Sequence, residues 1–308
     1  MSQNYLSFHF QLLNLYKYQT SCLFTVIYPG CEPYLTQFFE SVAAQTRNDF
    51  DLLILNVGLE NPMQYISVRG KRLTLLPVSG TIAKVMEEGI RLLNRSDYKS
   101  IIFAEVNSYM STNRVEASTL ALEEADIFVN DVSTVYEQGN EIHTILLSGR
   151  LGDECIIETS FIKDKNIMGL GNTAVRKDAL IPIEIHENTI AFDWYFFTHL
   201  LLSGKSAIFR NDSTTLYRQH EINTAGLGHI TPERFRNALK VQLQHAESLS
   251  GFSDEYAKRL DKLLTLDKYL ESETNLKRYL EHLKQSLPQN LLWWEEVKTI
   301  DKSEINIK

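Results

Sequence analysis

One aspartate stands inside a block of aromatic residues, 192-FDWYFF-197, in a chain of 308 residues. Phe192, Trp194, Tyr195 and Phe196 would strip water from the Asp193 carboxyl and raise its pKa, the setting in which a carboxylate accepts a proton near neutral pH. The plainer alternative is a carboxylate at a helix N-terminus, where the peptide dipole favours negative charge. A second group of oxygens lies in 103-FAEVNSYM-110, which sets Glu105 and Asn107 two residues apart. One carboxylate and one amide oxygen are hard donors that could hold magnesium or manganese, but weakly. Arg218 and His220, in 217-YRQH-220, are cations or potential cations of the kind that offset negative charge. Their alternatives are a structural ion pair and an ordinary loop histidine. The remaining histidines form no ligand-spaced cluster. Cys22, Cys31 and Cys155 are odd in number and unpaired in spacing, which argues against a disulfide scaffold or a zinc site and for reduced thiols in a cytoplasmic protein.

These residues need a frame. The run 23-LFTVIY-28 is apolar and β-branched and stops at Pro29 and Gly30, so it predicts a buried strand. Leu35, Phe38, Phe39, Val42 and Ala43 follow at helical spacing, and 51-DLLILNVG-58 is a second strand. Strand, helix and strand over so short a stretch imply parallel pairing. The pattern continues with strands at 72–78, 100–106 and 126–133 and helices at 81–95 and 113–125, then a helix over 189–204 and short strands at 206–211 and 214–219. A hairpin turn is predicted around Gly139. The expectation is an α/β protein with a mostly parallel sheet and helices on both faces. Open sheets of this kind bind ligands at the carboxyl ends of their strands, here 29–33, 56–58, 105–108 and 130–131.

From Thr231 onward proline and glycine nearly vanish and charge alternates with leucine, predicting amphipathic helices over 231–249, 253–271 and 273–287. This divides the chain into an α/β body, 1–230, and a helical C-terminal extension, 231–308. The net charge of −8 disfavours a general nucleic-acid binder. No run approaches the ~18 apolar residues of a membrane span.

Five motifs in order resemble the family-2 glycosyltransferases, whose fold is GT-A. In 22–58 a strand ends in a proline-bearing turn, and Glu40, Ser41, Val42, Gln45 and Thr46 match the family's E-S-V-x-x-Q-T. The segment 80-GTIAKVMEEGI-90 is similar to its glycine-started helix, and 171-GNTAVRKDAL-180 to its acceptor-side segment. Asp193 and Trp194, followed by Tyr217, Arg218, Gln219, His220, Asn223 and Gly226, match its D-W helix and Y-R-Q-H-x-x-N-x-x-G. The resemblance implies inverting transfer of a sugar from a nucleotide-sugar donor to a surface glycan, such as capsule or O-antigen, or to a lipid-linked acceptor. It makes Asp193 the base. It also places Pro29, Glu32, Asn56, Glu105, Asn107, Arg218 and His220 around the donor, the last two near the diphosphate.

The sequence departs from the family on the donor side. Asn56 and Val57 replace the aspartates that contact the base, and Glu105 and Asn107 stand where the D-x-D motif holds the cation. A catalytically silent relative that binds a glycan or a partner therefore stays open. Nucleotidyl transfer is disfavoured, because 29-PGCEPYL-35 has no lysine or arginine to cradle phosphates. Trp194 could stack on a sugar or belong to the core. The C-terminal helices, with Trp293 and Trp294, would cover a homo-oligomer or partner interface, or lie peripherally on the inner membrane face. Glu295 and Glu296 oppose an anionic bilayer.

Overall fold

The computed structural model describes residues 20–68, 70–136, 142–219, 230–288 and 291–300. The turn around Gly139 and residues 220–229, with His220, Asn223 and Gly226, lie outside them.

The strands are β1 (Ser21–Ile27), β2 (Phe50–Asn56), β3 (Leu73–Pro77), β4 (Ser100–Phe103), β5 (Ser108–Met110), β6 (Ile127–Tyr136), β7 (Ile142–Ile145), β8 (Glu154–Ile156), β9 (Thr173–Arg176) and β10 (Ala207–Gln219). They form one ten-stranded sheet in the order β3-β2-β1-β4-β9-β6-β10-β5, with β7 beside β6 and β8 beside β10. β1, β2, β3 and β4 are parallel, so the expected neighbours at 23–28 and 51–56 do pair. β9, from the segment resembling the acceptor side, enters antiparallel between β4 and β6, while β10 runs parallel to β6.

Two sequence expectations change locally. The run 100–106 is shorter as a strand, because the chain turns after Phe103, closes a Ser108 N–H to Glu105 carbonyl bond of 3.1 Å, and returns as β5 against β10. Glu105 and Asn107 therefore sit on a turn. The two short strands at 206–219 are one strand, β10, with an irregularity between Arg210 and Thr214.

Side-chain alternation along β1 divides the core. Cys22 and Phe24 face one layer, and Leu23 and Ile27 face the other. α1 (Glu32–Ala43) and α3 (Arg114–Ala121) cover the second face. α2 (Ile82–Asn94), begun by Thr81 as its cap, and α6 (Phe192–Leu202) cover the first; between them in sequence lie the short helices α4 (Ser148–Leu151) and α5 (Thr159–Ile162). Gly89 lets α2 approach the sheet, since a Cβ there would lie 2.5 Å from Phe24 Cζ. Gln45 of the E-S-V-x-x-Q-T match stitches the end of α1 to Ser111, just past β5, and to the start of α3. Its amide donates to the Ser41 and Ser111 carbonyls, and its oxygen accepts from Val115 N–H at 3.0 Å. α6 is apolar nearly all round, as a helix buried between layers must be. It ends with Gly204 at φ 84°, where Lys205 N–H reaches the Leu200 carbonyl and Gly204 N–H that of Leu201, a glycine-closed C-terminus.

The predicted tail helices are α7 (Pro232–Leu249), α8 (Asp254–Tyr269) and α9 (Glu273–Ser286). Their leucines gather in a third apolar cluster that includes Ala191 and Trp194 of the body and Trp294 and Val297 of the last described segment. Among the described residues no helix is long and apolar enough to cross a membrane.

Candidate active site

A cleft of about 750 Å³ opens at the carboxyl ends of β1 and β4. Its walls come from the turn after β1, the 105–108 turn, the loop 166–172, the start of α6, the middle of β10 and the segment around Trp293. Among the described residues that line it, Glu105 and Asp193 carry charge, and there is no lysine, arginine or histidine.

Asp193 is in the first turn of α6 and half-buried. Asn166 Nδ2 donates to its Oδ2 at 3.0 Å. The orientation of that amide is set by its other end, where Asn166 Oδ1 accepts from Met168 N–H at 2.9 Å. Asn166 N–H in turn donates to the Trp293 carbonyl at 2.8 Å. Burial raises the Asp193 carboxyl to about 6, although its hydrogen bonds with the helix N-terminus and Asn166 pull the other way. A carboxylate so poised is matched to proton transfer near neutral pH.

Glu105 faces the same cleft across the loop 166–172. Gly171 of that loop makes room for the Glu105 carboxylate, and Gly169 for the Asn172 amide oxygen, 3.1 Å from where a Cβ would stand. A Cβ on Gly171 would meet Glu105 Oε2 at 3.1 Å, and one on Gly169 would come within 3.8 Å of Asp193 Oδ2. Burial first, then the Asp193 charge, raises Glu105 to about 7, against the pull of Arg114. Arg114 is fully buried behind the turn and donates to Asn130 Oδ1 at 2.9 Å and the Phe103 carbonyl at 2.6 Å. Its charge faces Glu105 from inside the protein, not from the cleft.

The other expected residues separate into those at the cleft and those behind it. Pro29 and Asn107 line it. Glu32 does not; it accepts the Gly30 N–H at 2.6 Å and so shapes the Pro29–Gly30 turn. The Asn56 amide is turned onto its own loop, bonding the Leu59 carbonyl at 2.9 Å and N–H at 2.8 Å, and Val57 reaches the cleft instead. Arg218 is also behind the wall. It is 5% exposed, donates to the Asn107 carbonyl at 2.9 Å and to Gln37 Oε1, and lies over the rings of Tyr34 and Tyr109. The placement expected for Arg218 against a diphosphate gives way to one that holds the 105–108 turn, because its guanidinium is spent on protein partners. Trp194 belongs to the core, donating to the Ile162 carbonyl at 2.8 Å and stacking on His245.

Sequence reasoning missed Asn166 and Gly169, read Gly171 only as the start of the segment resembling the acceptor side, and placed Trp293 at an interface. The spacing in 166-NIMGLGN-172 was the available signal, but it acquires meaning only when Asp193 lies above the loop.

Among the described residues no group of three or more His, Cys, Asp or Glu is placed to hold a metal. Glu105 and Asn107 are the available hard donors, and the Glu105 carboxyl makes no hydrogen bond to the described residues. Asn107 Oδ1 is shared only with Ser108 Oγ, at 3.4 Å. Two oxygens on one turn fit a cation that takes its other ligands from phosphate and water.

No known protein-family profile matches the chain, and no curated protein matches it. Solved structures do share its fold. Residues 1–349 of S. aureus TarS in complex with UDP-GlcNAc align at 12% identity and TM-score 0.52, covering 76% of this chain and 71% of that one. The UDP complex of the same TarS segment gives 12% and 0.52, covering 88% and 76%. GalNAc-T7 with UDP, GalNAc and Mn2+ gives 11% and 0.53, covering 80% of this chain and 50% of that one. The chain therefore has the GT-A glycosyltransferase fold.

Proposed function

We propose that the chain transfers a sugar from a nucleotide-sugar donor to a hydroxyl of a glycan acceptor, with inversion at the anomeric carbon. The observation that carries this reading is the Asp193 carboxylate, held by Asn166 in a cleft of a GT-A fold and raised to about 6. The fold's neighbours bind UDP-GlcNAc or UDP in TarS and UDP with GalNAc and Mn2+ in GalNAc-T7, which supports a uridine diphosphate donor.

Asp193 Oδ accepts the acceptor hydroxyl proton as that oxygen attacks the anomeric carbon. The carbon–oxygen bond to the diphosphate breaks on the opposite face, and the diphosphate leaves with the bonding pair. Glu105 and Asn107 would hold a divalent cation, which supplies charge neutralisation to the leaving diphosphate. Arg218 keeps the carbonyl of Asn107, and with it this turn, in place. The two lining carboxylates make the cleft negative, so nucleoside diphosphate and cation are expected to bind together rather than singly. The acceptor is a surface glycan or its lipid-linked precursor, and the helices from Thr231 onward are the surface for self-association.

A second reading is a silent relative that binds glycan without transfer. It is favoured by the single carboxylate at 105–107 and by the Asn56 amide being closed onto Leu59. One experiment separates the two. UDP with manganese should raise the melting temperature more than UDP alone, because binding to the native state stabilises by mass action, and UDP-GlcNAc, among a panel of nucleotide sugars, should release UDP. Melting that ignores both nucleotide and metal, with no UDP released from any donor, would favour the silent relative.

A further inference from the structure

The segment around Trp293 is held to the rest of the protein by several ion pairs and hydrogen bonds. Glu295 takes a two-pronged ion pair from Arg150, at 2.9 Å on both oxygens, and accepts the Leu292 N–H. Glu296 pairs with Arg234 at 3.2 Å. Gln242 donates to the Trp294 carbonyl at 2.6 Å. The two carboxylates that would oppose a membrane thus fasten the segment to the protein. Trp294 adopts φ 68°, uncommon for a bulky residue. Trp294 belongs to the helical cluster and, at 5% exposure, only edges the cleft. Trp293 is half-buried and lines the cleft. Tyr217, from β10, stands at 88° to it with centroids 5.6 Å apart and so fixes the plane of the indole.

Resting on the glycosyltransfer reading, we propose that Trp293 is the platform on which a pyranose ring of the acceptor stacks, so that the acceptor is a ring sugar and not an open-chain polyol. The C–H groups on one face of a pyranose form an apolar, positively polarised surface, and the π face of an indole is its electrostatic and hydrophobic complement. An open-chain polyol offers no such face. The backbone carbonyl of the same residue holds Asn166, and Asn166 holds Asp193. The platform is therefore built on the support of the base, which sets a stacked ring and the proton acceptor in one register. Main-chain support and side-chain platform are separable, because a substitution at 293 keeps the carbonyl.

The test compares wild type with Trp293→Leu, which keeps apolar packing without a π face, and Trp293→Phe, which restores one. Trp194 is 0% exposed and Trp294 5%, so an accessible indole signal reports Trp293. The probes are chitotetraose, cellotetraose and maltotetraose, with sorbitol as the open-chain control. At least one tetrasaccharide should shift wild-type fluorescence and protect it from acrylamide, with sorbitol doing neither. In transfer assays Trp293→Leu should raise the acceptor KM about three- to tenfold, the size of an aromatic contact, and by more than it changes UDP affinity; Trp293→Phe should recover most of it. The proposal is overturned if no tetrasaccharide acts differently from sorbitol, or if Trp293→Leu changes donor and acceptor parameters alike. Failure of the glycosyltransfer reading shows separately, as melting insensitive to UDP with manganese, and the fluorescence titration then still decides the stacking.

Discussion

His245 of α7 lies flat against Trp194 of α6, with ring centroids 3.8 Å apart and 13° between the planes. This stack joins the helical tail to the element that carries Asp193. His245 is 3% exposed, and neither ring nitrogen has a hydrogen-bond partner among the described residues. Burial, and then the charge of Arg259, push its pKa well below the ordinary histidine value; Tyr256 packs edge-on at 5.5 Å on the other side. The folded protein thus takes this proton less readily than the unfolded chain does. The stability it contributes is complete above the unfolded value of about 6.5 and is lost as pH falls below that. Calorimetry from pH 8 to pH 5 should show the melting temperature falling below that point, and His245→Phe should remove part of the fall. An unchanged slope in the variant would mean that other groups cause it.

Asp193→Asn keeps size and hydrogen bonding but cannot take a proton. Turnover should fall about 10²–10⁴-fold, the usual worth of a general base, with UDP affinity retained in calorimetry. In the wild type the rate should rise with pH through about 6 and then level off, since the base acts when deprotonated. Turnover of the variant within a few-fold of wild type, or a rate flat from pH 5 to pH 8, would remove Asp193 from the chemistry.

In the proposed mechanism Asn166 positions Asp193, and its hydrogen bond favours the charged form of that carboxyl. Asn166→Leu removes the donor, so the midpoint of the pH–rate profile should move upward and turnover should drop. Turnover that drops without any shift in the midpoint would instead indicate a merely structural loss.

With Glu105 and Asn107 as donors, manganese without nucleotide should bind weakly in calorimetry. Glu105→Asp together with Asn107→Asp should strengthen metal dependence. Gly171→Ala, whose Cβ would stand 3.1 Å from Glu105 Oε2, should displace that carboxylate and weaken the nucleotide–metal melting shift. If all three proteins respond to manganese alike, the 105–107 turn does not meet the donor phosphates.

Gly89→Ala tests the packing beneath the cleft. Alanine is the better helix former by about 1 kcal/mol, but its Cβ would fall 2.5 Å from Phe24 Cζ and 3.3 Å from Leu55 Cδ1. Overpacking should dominate, lowering urea stability by about 1–3 kcal/mol. A more stable variant would show that α2 can move away from the sheet at little cost.

The parallel run β3-β2-β1-β4, the helices on both faces and the amphipathic tail were legible because each rests on local signals. Apolar period, proline and glycine at the turns and the cap at Thr81 act over a few residues and need no partner. Asp193 was legible as a carboxylate among aromatics for the same reason, and Glu105 as an acidic residue after an apolar run. What tertiary structure alone decided was which side chains meet. β9 enters between β4 and β6 by pairing with strands remote in sequence. Arg218, a cation on a familiar motif, is drawn behind the wall by Gln37 and Tyr34 of α1 and by the Asn107 carbonyl, partners contributed by two segments remote from it in sequence. Asn166, which donates to Asp193, is itself held where the Trp293 carbonyl comes back to meet it. Such contacts depend on where the chain returns after many residues, a property of the packed whole that neither residue type nor spacing encodes.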